Sequence, residues 1–163
     1  MTALAKYNLT SSDGTTAAFA LGTTIEVKGA TYQYFIADGA IAAYALCTVQ
    51  DDWDAQEGTT TTSGSKPTLC CIPQFAVADN EYFWAPVGPF GPYREDGSTN
   101  FKVLALTLCV HDVKLYTTAT AGCIDDSATD LVAGLFLNST NATGGTVATA
   151  CQAVQRLVTN CQD

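Results

Sequence analysis

Apolar and β-branched residues come in short runs, each closed by turn residues. Thr23-Thr24-Ile25-Glu26-Val27-Lys28 alternates β-branched and charged positions before Gly29-Ala30. Thr31 to Ala37 is aromatic and β-branched and ends at Asp38-Gly39. Period-two alternation on both sides of a short Gly turn predicts a hairpin. Ile41 to Val49 is more continuously apolar, which predicts a strand buried on both faces. Gln50 to Lys66 changes character: Asp51, Asp52, Asp54 and Glu57 crowd its first half, and Thr59 to Thr62 with Ser63-Gly64-Ser65 fill its second. That composition predicts an exposed loop.

Pro67 opens the next expected strand, through Leu69-Cys70-Cys71-Ile72 and past Pro73, at a bulge or edge, to Ala78. Asp79-Asn80 is a turn, and Glu81 to Val87 an aromatic strand. Gly88-Pro89-Phe90-Gly91-Pro92-Tyr93 is too rich in Gly and Pro for regular structure. Phe101 to Val110 is the longest expected strand; His111-Asp112 breaks it and Val113 to Thr117 resumes it. Ala121 to Asp126 reads as a turn-like link, and Leu131 to Leu137 as a strand closed by Asn138 to Gly145. In Thr146 to Val158, the positions Val147, Ala150, Cys151, Val154, Leu157 and Val158 fit a helical stripe, but Val and Thr density favours strand. The expected fold is all-β: a compact β-sandwich or barrel of short antiparallel strands with long loops and at most a short helix.

A chain of 163 residues suits one domain and buries a sizeable core without disulfides. Residues 14–163 are read as that domain. Residues 1–13, polar and followed by Gly14, are read as an N-terminal arm or frayed terminus, with Leu4 and Tyr7 as the arm's apolar anchors for a partner. No basic n-region with an apolar stretch is visible near Met1, and the longest apolar run is far short of the ~20 residues that span a bilayer. The expected place of synthesis is the cytosol.

Charge narrows the function classes. Seven Lys+Arg against sixteen Asp+Glu give −9, and only 14% of residues are charged. Such a chain repels nucleic acid and anionic lipid. Thr and Ala, 24 each, dominate the composition.

Candidate chemistry is sparse. His111 is the only histidine, with Asp112 beside it, but no nucleophile motif accompanies it, and strand neighbours would face opposite ways. The acids Asp51, Asp52, Asp54 and Glu57, and again Asp125, Asp126 and Asp130, raise calcium as a question, but neither set has the order of a known calcium loop. No metal or other cofactor is assigned. Seven cysteines, Cys47, Cys70, Cys71, Cys109, Cys123, Cys151 and Cys161, show no C-x-x-C spacing. Most sit in apolar runs and read as small core residues, with one or two disulfides as the alternative. The sequons at Asn8, Asn138 and Asn141 are chance products of a Thr-rich chain. Trp84 and Phe83 read as core. Trp53, among aspartates, is expected to be exposed and is the better candidate for a partner contact.

Three stretches carry a resemblance: Gly22 to Tyr44, with Thr-Tyr-Gln-Tyr-Phe-Ile-Ala-Asp-Gly at its centre; Ile72 to Val87, with Glu-Tyr-Phe-Trp-Ala-Pro; and Leu115 to Asp126 with Leu131 to Leu137. With them the chain resembles the head decoration (cement) proteins of tailed bacteriophages over most of its length after residue 20. The resemblance implies a β-rich, non-enzymatic virion protein on the capsid exterior. It would bind the major capsid protein, bridge neighbouring subunits and self-associate as a trimer or dimer. It carries over no site residues, and the seven cysteines depart from it. Two alternatives stand beside it: a head-fibre base or tail subunit, and a small carbohydrate-binding module using Trp53 and the Thr-rich loop.

Overall fold

The hairpin foreseen from the alternation is the first regular element. Strands β1 (Thr24–Val27) and β2 (Ala30–Ala37) pair antiparallel, Ile25 opposite Tyr32. They turn at Lys28-Gly29, whose φ angles of 48° and 78° suit a tight hairpin. The structure is a computed structural model that describes residues 7–63, 67–127, 130–142 and 145–159. Leu4 and Cys161 lie outside the described residues.

The fold is all-β, a barrel with extra strands, and no helix occurs among the described residues. The remaining strands are β3 (Cys47–Val49), β4 (Asp54–Glu57), β5 (Thr68–Cys71), β6 (Tyr82–Pro86), β7 (Lys102–Ala105), β8 (Leu115–Thr117), β9 (Cys123–Asp125), β10 (Asp130–Leu137) and β11 (Val147–Thr159). Strands β11, β10, β8, β9 and β7 pair in that order, and β7 pairs back to β11, so these five close a ring. A second layer runs β2-β4-β3-β5, with β1 on one edge of β2 and β6 on the other, and β5 joins it to β11. Closure removes the free edges that invite aggregation.

Two buried clusters lie on opposite faces of the second layer. Alternate residues divide between them: Tyr32, Tyr34, Trp84 and Cys70 join the ring's Val103, Ile124 and Leu135, while Phe35, Phe83, Ala85 and Cys71 face the other way. A sheet buried on both faces explains why its strands read as apolar runs.

Several expectations need correction. Ile41 to Val49 is not one strand, because Tyr44 takes φ 68° and ends the extended run, leaving an isolated Ile41–Val77 bridge before β3. The expected loop over Gln50 to Lys66 contains β4, whose Ala55 is fully buried between β2 and β3. Gln74 to Ala78 is no strand, since Gln74 spends its side chain on loop backbone: its Nε2 donates to the carbonyls of Ile72 (2.9 Å) and Lys102 (3.0 Å). Phe101 to Val110 is regular only over β7, as Leu108 at φ 65° turns the chain. Cys123–Asp125, expected to link, is β9, parallel to β7. β2 and β4 are parallel too, so the sheet is mixed, and β11 is long at 13 residues. Residues 7–13 lie on the body: Leu9 is buried, and Asp13 N donates to Tyr82 O at 2.8 Å.

Candidate functional site

The turn between β3 and β4 builds the most distinctive surface feature. Gln50 N donates to Asp54 O at 2.9 Å and Trp53 N to Gln50 O at 3.1 Å, which reverses the chain over four residues. Trp53 closes the turn at φ 72°, a left-handed conformation that costs a bulky side chain on the order of 1–2 kcal/mol. Surrounding contacts hold it there. Its ring lies 6.5 Å from that of Phe35. It also lies so close to Gly22 that a Cβ there would be 2.6 Å from Cε2. Gly22, itself at φ 76°, is what lets the indole seat against backbone. Trp53 is therefore half-buried rather than exposed, because its ring covers the outer cluster.

An open groove of about 940 Å³ runs from this turn across β3 and the start of β5. Thr48, Gln50, Asp52, Trp53, Gln56 and Arg156 line it. Arg156 comes from β11, where the register slips opposite Gly134 and the stretch Val154-Gln155-Arg156 stands out from the ring. Its guanidinium donates to Gln33 Oε1 at 2.8 Å. Asp54, beside the groove, has its carboxyl pushed up by burial and by the charges of Asp52 and Asp38. Thr48 sits mid-strand between Gln56 and Cys70. Its Oγ1 is buried without a hydrogen-bond partner.

The expected contact residues do not converge. Trp53 is in the groove, whereas Tyr7 packs on the inner cluster, 5.3 Å from the Trp84 ring and 5.4 Å from Phe19. Thr48, Gln56 and Arg156 carried no signal in sequence. The first lies in an apolar run, the second in an apparent loop, and the third depends on a bulge that periodicity does not show.

A second feature lies where β7 ends. Leu108 is 64% exposed, and Val110 and Val113 follow it at the surface. The turn is clamped. Leu108 N donates to Asn141 O at 2.9 Å, and Asn141 N to Cys109 O at 3.0 Å. Asn141 Nδ2 reaches the carbonyls of Ala105 and Leu106. Val110 N donates to Asp126 Oδ2 at 2.9 Å. His111 Nδ1 lies 2.9 Å from Thr140 Oγ1, and its Nε2 3.6 Å from Asp112. The expectation that Asp112 faces away from His111 is corrected, because φ 58° at Asp112 makes a turn where strand geometry was assumed. Both side chains are exposed.

The acids have local partners of their own. Glu57 accepts from Ala42 N at 2.8 Å, and Asp130 from the Ser63 hydroxyl at 2.5 Å. No three His, Cys, Asp or Glu side chains converge as a metal site among the described residues. Six of the seven cysteines are described, all buried and unbridged. Burial pushes the Cys70 and Cys109 thiols up to about 12, and it raises Cys71 and Cys151 strongly. They are protonated core residues, as their apolar sequence context predicts.

Comparison with family models, with curated proteins and with solved structures gives no match.

Proposed function

We propose that the chain is a structural virion protein of the head-decoration type, binding the outer surface of a capsid and stabilising contacts between its major subunits. The observation that carries this reading is the clamped apolar turn at Leu108, Val110 and Val113. Apolar side chains held out on a hydrogen-bonded turn lose little entropy when a partner covers them. The resemblance over Gly22 to Tyr44, Ile72 to Val87, and Leu115 to Asp126 with Leu131 to Leu137 supports the same reading. Self-association as a trimer or dimer on the lattice belongs to it, as does synthesis in the host cytoplasm.

The mechanism is mass action. A protein that binds only the composite surface of assembled subunits stabilises the assembled state by RT ln(1 + [L]/Kd). Rebinding to heads stripped of the protein is the test, with unassembled subunits as control. Binding to heads alone, weakened about tenfold or more by Leu108→Asp, is the expected result. Equal binding to heads and free subunits, or an unchanged affinity for the variant, contradicts the proposal. Leu108 is a surface residue, so the variant is expected to fold normally.

A further inference from the structure

The groove at the β3–β4 turn is not used by that reading. We propose that it binds a neutral, hydroxyl-rich ligand, an oligosaccharide being the class it fits.

Three observations lead there. The groove's volume falls within the few hundred to ~1,000 Å³ of small-ligand sites. Its lining combines one large aromatic wall, Trp53, and the aliphatic Val49, Pro67 and Leu69 with amides at Gln50 and Gln56, a hydroxyl at Thr62, and carboxylates at Asp51 and Asp52. A sugar has the matching pair of surfaces: a face of C–H groups that stacks on an indole, and a rim of hydroxyls that both donate and accept. Second, the Arg156 guanidinium is already engaged, donating to Gln33 Oε1 at 2.8 Å, which leaves the amides, the hydroxyl and the carboxylates to meet a ligand. Third, the Trp53 ring is fixed in advance. Its strained backbone and the contact with Gly22 set the aromatic wall before any ligand arrives, so binding does not have to order it.

Charge separates this class from others. Among the described residues Arg156 is the single cation of the lining, and Asp51 and Asp52 oppose it. An anionic ligand gains little there, and a divalent cation lacks a convergent ligand set among the described residues. An apolar ligand would bury the amides and carboxylates unpaired.

The isolated chain is titrated with neutral oligosaccharides built from glucose, galactose, mannose and N-acetylglucosamine. Tryptophan fluorescence is followed, with calorimetry alongside. Trp84 is only 1% exposed, so a change in emission reports Trp53. Expected is saturable binding by at least one member with a Kd on the order of 1 mM or tighter. Trp53→Ala should weaken it about tenfold or more, and Gln50→Ala several-fold without lowering Tm. If Trp53→Ala fails to fold, Gln50→Ala, at an exposed residue of the lining, carries the test. Sulfated or sialylated forms should bind no more tightly than their neutral parents. Absence of saturable binding across the panel overturns the proposal. So does binding that both variants leave unchanged, or a preference for the anionic forms that salt abolishes. No capsid enters the experiment, so its outcome is independent of the decoration reading.

Discussion

The two faces of the second layer bury very different side chains. On the inner face Trp84 sits within 4.9–5.3 Å of the Tyr7, Phe19 and Tyr34 rings, and Phe90 and Phe101 lie 4.6 Å apart. The outer face has the Phe35–Phe83 pair with Trp53 and Phe75 at its margin, but otherwise Ala37, Ala45, Ala55, Ala85, Cys47 and Cys71 with a few aliphatics. What covers each face accounts for the difference. The inner face meets other strands about a side-chain layer away, and rings fill that space. The outer face is roofed by irregular chain that comes down to backbone contact: Tyr44 N donates to Pro73 O at 2.7 Å, Leu104 N to Tyr44 O at 2.9 Å and Leu46 N to Gly122 O at 2.8 Å. At one such point only small residues fit, since a Cβ on Gly122 would lie 2.7 Å from Ala45 Cβ. The Ala and Cys content is in part the composition of that roof.

The largest way to break this comparison is alkali, which should ignore the face. Cys70, Cys109 and Cys151 lie in the inner cluster and Cys71 in the outer, and burial raises all four thiols. A group whose folded pKa is raised stabilises the fold below its unfolded pKa, near 9, and that contribution is lost as pH climbs toward the folded value. By pH 10 each thiol should account for on the order of 1 kcal/mol of lost stability, and the four together for several times that. Urea midpoints at pH 7 and pH 10 under reductant measure this. Cys151→Ala and Cys71→Ala should each flatten the pH dependence; a flat profile for the parent protein would show thiols that ionise freely in the fold.

Trp84→Ala comes next, at about 3–5 kcal/mol in urea unfolding, because it empties the centre of the ring cluster. A loss under 1 kcal/mol would mean that Tyr7 and Phe19 collapse into the space. Ile124→Val and Ile41→Val compare the faces at equal chemistry. Both should fall within about 0.5–1.5 kcal/mol, with Ile124, held by strands, near the top and Ile41, under the adjustable roof, near the bottom. The reverse order would deny that the roof adapts. The smallest effect has the opposite sign: Thr48→Val should stabilise by about 0.5–1 kcal/mol, since it removes an unpartnered buried hydroxyl. Thermal unfolding reads this as a rise of a few degrees in Tm.

The two faces also explain what was legible in sequence. The β1–β2 hairpin, the Asp79-Asn80 turn, β6 and β10 follow from residue pattern and turn residues, and β11 from Val and Thr density, all of them local signals. The errors cluster where non-glycine residues adopt positive φ. Tyr44, Leu108 and Asp112 end or turn segments that composition reads as extended or assigns to simple breaks. Tyr44 and Leu108 are held by long-range hydrogen bonds with no sequence signature. β4 was missed because its Asp, Gln and Glu conceal the buried Ala55. At the groove, Trp53 could be named from its acidic setting, though not its half-burial. Thr48 and Arg156 could not, since one depends on which face of β3 it takes and the other on the slip opposite Gly134.

The functional account is tested most directly by copy number. Purified particles carrying the protein are resolved by quantitative mass spectrometry against their major capsid subunit. Decoration of the whole lattice predicts a ratio near one, or a fixed simple fraction set by lattice symmetry. A dozen or fewer copies per particle would contradict it and assign the chain to a fibre base or tail.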